Sequence, residues 1–232
     1  ANNVFNHSDQ PSSFLEGVKN IINHNGIFIF EQPYFTKSVK DFKFDQIYHE
    51  HISYFTIKNI NNLLKKNGFK IIKLEFNKYH GGSIRTYATL HGNKINILNF
   101  KEKIKSESKT GVNKTGFYKK FSNFIENKKI EINKRINNFK KKNYIICGIG
   151  AAAKANTLLS FYQLDNNIVN FITDSSKYKI NKYTPLTRIK IINDNNIKKY
   201  NKLACIILAW NISSLLKKKI YKINSKIKFI KI

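Results

Sequence analysis

Tyr48-His49-Glu50-His51 places a phenol, two imidazoles and a carboxylate in four consecutive residues. Histidine titrates near neutrality and suits general-base work, and a nearby carboxylate can orient and strengthen it. Metal ligation fits less well, because His49 and His51 point to opposite sides if the segment is extended. The plainer alternative is a polar loop that satisfies its own hydrogen bonds. A second polar stretch, Asn2-Asn3-Val4-Phe5-Asn6-His7, stands just before the first helical pattern. A third, Gly148-Ile-Gly-Ala-Ala-Ala-Lys154, lies between a strand pattern and a helix pattern. Small residues there let a backbone approach a phosphate at a helix N-terminus, with Lys154 adding charge. Ala153 replaces the last glycine of a dinucleotide fingerprint, and Asp174 stands where a ribose ligand could sit. A tight turn that needs small residues explains the same spacing.

The elements that must carry these residues are readable from periodicity. Phe14–Asn23 has helical spacing after Pro11-Ser12-Ser13 and stops before Asn25-Gly26. Ile27–Phe30 reads as a buried strand ended by Pro33, and residues 34–56 show no regular period. Ile57–Asn67 is a second helix, with Phe69–Phe76 and Ser83–Leu90 as a strand pair around His80-Gly81-Gly82. This order predicts the last half of an α/β sheet domain. From Asn93 to Thr115 the pattern dissolves into Lys, Ser, Glu and Asn, and Phe117–Asn138 regains helical spacing. Strands at Tyr144–Cys147, Ile168–Thr173, Cys205–Ala209 and Ile227–Ile230 then alternate with helices at Ala151–Phe161 and Leu215–Ile223. That alternation predicts a mostly parallel sheet with helices on both faces. Trp210-Asn211 follows a strand end, where either a ligand contact or core packing is expected for the indole.

Composition bounds the partners. The chain has 232 residues and a net charge of +28, but 39 of its 42 basic residues are lysine. With 36 Ile and 32 Asn, it is rich in residues that share A/T-rich codons, so genome bias explains the lysines at least as well as a nucleic-acid partner does. Nucleic-acid readers favour the bidentate arginine fork, which argues against a nucleic-acid partner. No apolar run is long enough to span a bilayer, so no membrane partner is expected. Cys147 and Cys205 sit in Ile- and Leu-rich runs and read as reduced, buried thiols of a cytoplasmic protein.

Taken together, these stretches resemble the S-adenosylmethionine-dependent sugar C-methyltransferases. The matching segments are Ala1–His7, Glu31-Gln-Pro33, Phe44–Phe55 through Tyr-His-Glu-His, His80–Arg85, Gly148–Lys154 and Leu208-Ala-Trp-Asn211, in the family's order. The resemblance implies that a base removes a proton beside the ketone of a nucleotide-linked keto-sugar. The enolate then attacks the methyl group of S-adenosyl-L-methionine, and the transfer needs no metal. It implies His51 as the base, with Glu50, Tyr48 and His7 orienting it or binding the sugar near the ketone. Asn2 and Asn3 would lie near donor and sugar. Ser83, Arg85, Lys154 and Asn211 would complete the substrate site.

The implied fold class is α/β: the C-terminal half of a Rossmann-like methyltransferase sheet, a linker helix, and a second, smaller Rossmann-like domain. The corresponding bounds are 1–92, 93–142 and 143–232. The family's zinc segment and glycine-rich donor loop lie upstream of the region matched by Ala1. The expectation is therefore a fragment that is weak or inactive alone, with the N-terminal portion as a candidate partner. A non-catalytic nucleotide-sugar-binding module, or half of a split methyltransferase, stays open as the alternative. Ala155, Asn181 and Leu186 stand where the family usually has glycine. Asn tolerates a left-handed backbone, whereas Leu is strained by it.

Overall fold

The computed structural model describes residues 1–231; the side chain of His80, one of the sequence candidates, lies outside the described residues. The chain divides into two compact units. Unit 1 comprises Ala1–Phe44 and Tyr48–Ser122, and unit 2 comprises Asp45–Ile47 and the chain from Asn123 onward.

Unit 1 is built on three antiparallel strands, β1 (Phe28–Pro33), β2 (Phe69–Asn77) and β3 (Ser83–Leu90), in the order β1-β3-β2. Ala1–Asn3 runs alongside β1 in the parallel sense, through an Asn2–Glu31 bridge and the bond from the Asn3 N–H to the Glu31 carbonyl (2.7 Å). Phe5, Phe30, Phe55, Ile57, Ile60, Phe69 and Ile84 pack between this sheet and helices α1 (Pro11–Ile21) and α3 (Ile57–Lys66). α3 starts where the Thr56 hydroxyl accepts from the Asn59 N–H at 3.2 Å, the usual N-cap arrangement.

Two helices interrupt stretches whose sequences show no period. α2 (Phe35–Lys40) is too short to display one. α4 (Lys101–Lys109) lies inside the 93–142 linker and is polar on nearly every face. A buried carboxylate holds it in place. Glu107 accepts from the Ile57 and Lys58 N–H groups at 2.8 and 3.1 Å, and from the Tyr34 and Thr36 hydroxyls at 2.8 and 3.0 Å. It thus satisfies the open donors at the start of α3. α5 (Thr115–Lys141) begins in unit 1 and continues into unit 2, so the compact units divide within this helix.

Unit 2 contains five parallel strands, β4 (Ile145–Ile149), β5 (Phe171–Asp174), β6 (Ile191–Asn193), β7 (Leu203–Ile207) and β8 (Lys228–Ile230). Their order is β6-β5-β4-β7-β8, with α6 (Ala155–Tyr162) and α7 (Ser213–Ile223) in the connections. The order reverses between β4 and β7, and in open parallel sheets ligands bind at such a reversal, beyond the carboxyl ends of the strands. The fold class is the α/β, Rossmann-like one read from the sequence. No helix among the described residues is long and apolar enough to cross a membrane.

Candidate functional site

In unit 1 the histidine segments are joined by an aromatic anchor. Phe5 is fully buried and stacks on Phe55, with centroids 5.4 Å apart. Next to Phe5, the Asn6 carbonyl accepts from the N–H groups of both Ile52 and Ser53, at 3.1 and 3.0 Å. These contacts set the 3-10 turn Phe5–His7 against the loop that carries His51, and the two imidazole centroids come within 5.2 Å. Tyr48 stands over His51 at 4.5 Å, and the His51 N–H donates to the Tyr48 carbonyl at 3.0 Å.

The Tyr48 hydroxyl donates to a Glu50 carboxylate oxygen at 3.0 Å. Burial first, and then the neighbouring Glu50 charge, pushes the Tyr48 phenol up to about 12, so it stays a donor through the neutral range. His7 and His51 are half-buried, whereas Glu50 and His49 face solvent. The result is a pair of half-buried imidazoles side by side, with a phenol and a carboxylate beside them. Such a group can take up and return a proton.

Asn2 and Asn3 lie at the edge of β1, and Asn3 adopts a left-handed φ of 53°. Arg85, on β3, directs its guanidinium to the buried Glu31 at 2.8 and 2.9 Å. Ser83 is buried and donates to the Tyr79 carbonyl at 3.0 Å. These two side chains thus have partners inside unit 1, Arg85 in β1 and Ser83 in the turn before β3. Sequence reading passed over Gln32, although it falls two residues after Phe30, in the core-facing phase of β1. A polar residue in that phase was the available signal.

In unit 2, Gly150 has φ +83°, and a Cβ on it would come 2.9 Å from the Ala209 Cβ. At Gly148 a Cβ would meet Leu208 at 2.7 Å. Both glycines are therefore needed for close packing of the turn against the end of β7. Asp174 accepts from the Ala151 and Ser176 N–H groups, each at 2.8 Å, so both its oxygens hold loops in place. Lys154 extends its ammonium over the Trp210 ring at 3.9 Å, and the Trp210 indole N–H donates to the Asp45 carboxylate within the same unit. Asn211 is exposed immediately after Trp210. Lys154, Trp210 and Asn211 thus follow β4 and β7, the two strands at the reversal point. A cavity of about 300 Å³ opens beside the turn, lined by Ala151–Ala153, Lys179 and Tyr183 among others.

The family model described as C-methyltransferase C-terminal domain matches residues 78–231, and one described as methyltransferase domain matches residues 1–74. The chain is also similar to the C-methyltransferase NovU of Streptomyces niveus, 26% identical over 208 residues. That similarity covers 89% of this chain and 50% of NovU, so the chain spans about half the length of the curated relative it matches.

Proposed function

Because the chain belongs to the C-methyltransferase C-terminal-domain family, we propose that it serves S-adenosylmethionine-dependent C-methylation of a nucleotide-linked keto-sugar. The observation that carries this reading is the His7–His51–Tyr48–Glu50 cluster, four groups suited to moving a proton, drawn together from two segments. In the proposed reaction His51 accepts the proton from the carbon next to the ketone, and the C–H electrons become the enolate. Tyr48, kept neutral by burial and by Glu50, packs against the His51 ring and fixes its plane. His7, whose ring is 5.2 Å from that of His51, serves as a second donor or acceptor to the sugar.

S-adenosylmethionine, when bound, supplies the electrophilic methyl group. The buried Asn3 amide oxygen, which has no partner among the described residues, suits an amino or hydroxyl group of that molecule. In unit 2, Lys154 and Asn211 follow the strands at the sheet reversal, where a cation suits an anionic group such as a phosphate.

The test is methyl transfer by the protein and its His51→Gln variant to a panel of keto-hexoses linked to uridine, thymidine, guanosine or cytidine diphosphate. The reading expects transfer to one of them, weak for this chain alone and restored when the family's donor-loop portion is supplied, and near-complete loss in the variant, with sugar binding retained. Transfer that persists in the variant would remove His51 from the base role.

A further inference from the structure

Gln32 is fully buried, and neither its amide nitrogen nor its amide oxygen has a hydrogen-bond partner among the described residues. The same holds for the side-chain oxygen of Asn6, which is 2% exposed, and for that of Asn3. A buried amide left unpaired is expensive relative to an apolar side chain of similar shape. Packing alone gives no reason for amides here. Strand alternation puts Gln32 on the same face as Phe28 and Phe30, inside the aromatic core.

Their placement is specific. Gln32 is one strand step beyond Phe30, towards the carboxyl end of β1, and the Phe30 ring lies 4.9 Å from Phe5. Asn6 follows Phe5, and its carbonyl holds the loop of His51 through Ile52 and Ser53. The Asn3 N–H is bonded to the carbonyl of Glu31, the residue before Gln32. Thr86, register partner of Phe30 and fully buried, adds a hydroxyl with no partner among the described residues. The unpaired atoms comprise several acceptors and one amide donor. Hydroxyl groups donate to such acceptors, and a carbonyl or ether oxygen accepts from the donor.

We propose that Asn6 and Gln32 are sugar-binding residues, their amides hydrogen-bonding the hydroxyl and carbonyl oxygens of the ring that His51 deprotonates. This inference rests on the keto-sugar reading above. It adds a determinant of which sugar is accepted, since a site built to pair with hydroxyls rejects ligands that lack them.

Gln32→Met and Asn6→Leu keep the approximate size and remove the amides. Titration calorimetry with the same panel of nucleotide-linked keto-hexoses, and separately with S-adenosylmethionine, distinguishes the outcomes. The expected result is sugar affinity lowered roughly tenfold for each hydrogen bond lost, unchanged donor affinity, and an unchanged or higher melting temperature for the free variant. A lower melting temperature would mean that the amides serve the fold, and would overturn the assignment. Loss of donor affinity alone would transfer the amides to the methyl donor's site and equally overturn it. If the unmodified protein binds a sugar and both variants bind it equally well, this inference fails and the keto-sugar reading stands. If the unmodified protein binds none of the panel, both fail.

Discussion

Phe5 and Phe55 stack with ring planes 20° apart, and that contact brings the His7 and His51 rings within 5.2 Å of each other. Each phenylalanine is close in sequence to one histidine, so an apolar contact at the edge of the core sets a polar geometry. Phe5→Ala is expected to destabilise unit 1 by about 3–5 kcal/mol, the range for emptying a buried aromatic site. Urea unfolding followed by far-UV circular dichroism checks this, and a loss under 1 kcal/mol would mean that the ring is not an anchor.

Glu107 ties the polar helix α4 to the start of α3. Replacing it with alanine leaves two hydroxyls and two backbone N–H groups without their acceptor. The expected loss is about 3 kcal/mol, well above the few tenths for the exposed Glu102 on the same helix. Chemical denaturation of Glu107→Ala beside Glu102→Ala measures the difference.

Leu186 has φ 60° and is 86% exposed, so no packing offsets its left-handed backbone. That conformation costs a branched residue roughly 1–2 kcal/mol, while glycine costs about 0.4–1 kcal/mol through the unfolded chain. Leu186→Gly is therefore expected to stabilise unit 2 by about 0.5–1 kcal/mol. Asn181→Gly, at φ 66°, should be nearly neutral because asparagine tolerates this region. Thermal unfolding of both variants provides the comparison.

These two positions show what sequence could carry. Asn181 and Leu186 were legible as glycine replacements, and both have the left-handed backbone that a glycine site requires. Ala155 instead starts α6, where a side chain is accommodated. β3 runs over Ser83–Leu90, the bounds read from the sequence. α4 was not legible, since its hold on the unit is a single buried carboxylate with no apolar stripe. The approach of His7 to His51 depends on a contact between segments far apart in the chain, which no local period encodes. The tight-turn alternative for Gly148–Lys154 has direct support at both glycines. Asp174 also holds the backbone of neighbouring loops through both oxygens, a tertiary role that its strand-end position does not announce.

The Tyr48 phenol offers a pH test. Its folded value of about 12 lies above the ordinary 10, so the folded state keeps its proton longer than the unfolded chain does. Its contribution to stability is complete below pH 10 and is lost as pH rises towards 12. Glu50→Gln removes the neighbouring charge but not the burial, so Tyr48 should ionise at a lower pH, part of the way back towards its ordinary value. The difference between the alkaline absorbance titrations of Glu50→Gln and Glu50→Gln/Tyr48→Phe isolates this group.

The most direct test of His51 as the base needs no methyl donor. A nucleotide-linked keto-hexose that binds the protein is incubated with it in D2O, and deuterium entering the carbon beside the ketone is followed by mass spectrometry. His51 removes the proton, exchanges it with solvent and returns deuterium, so the protein is expected to catalyse the exchange. His51→Gln should slow it by roughly a hundredfold or more while still binding the sugar. Exchange at an unchanged rate in His51→Gln would contradict the account.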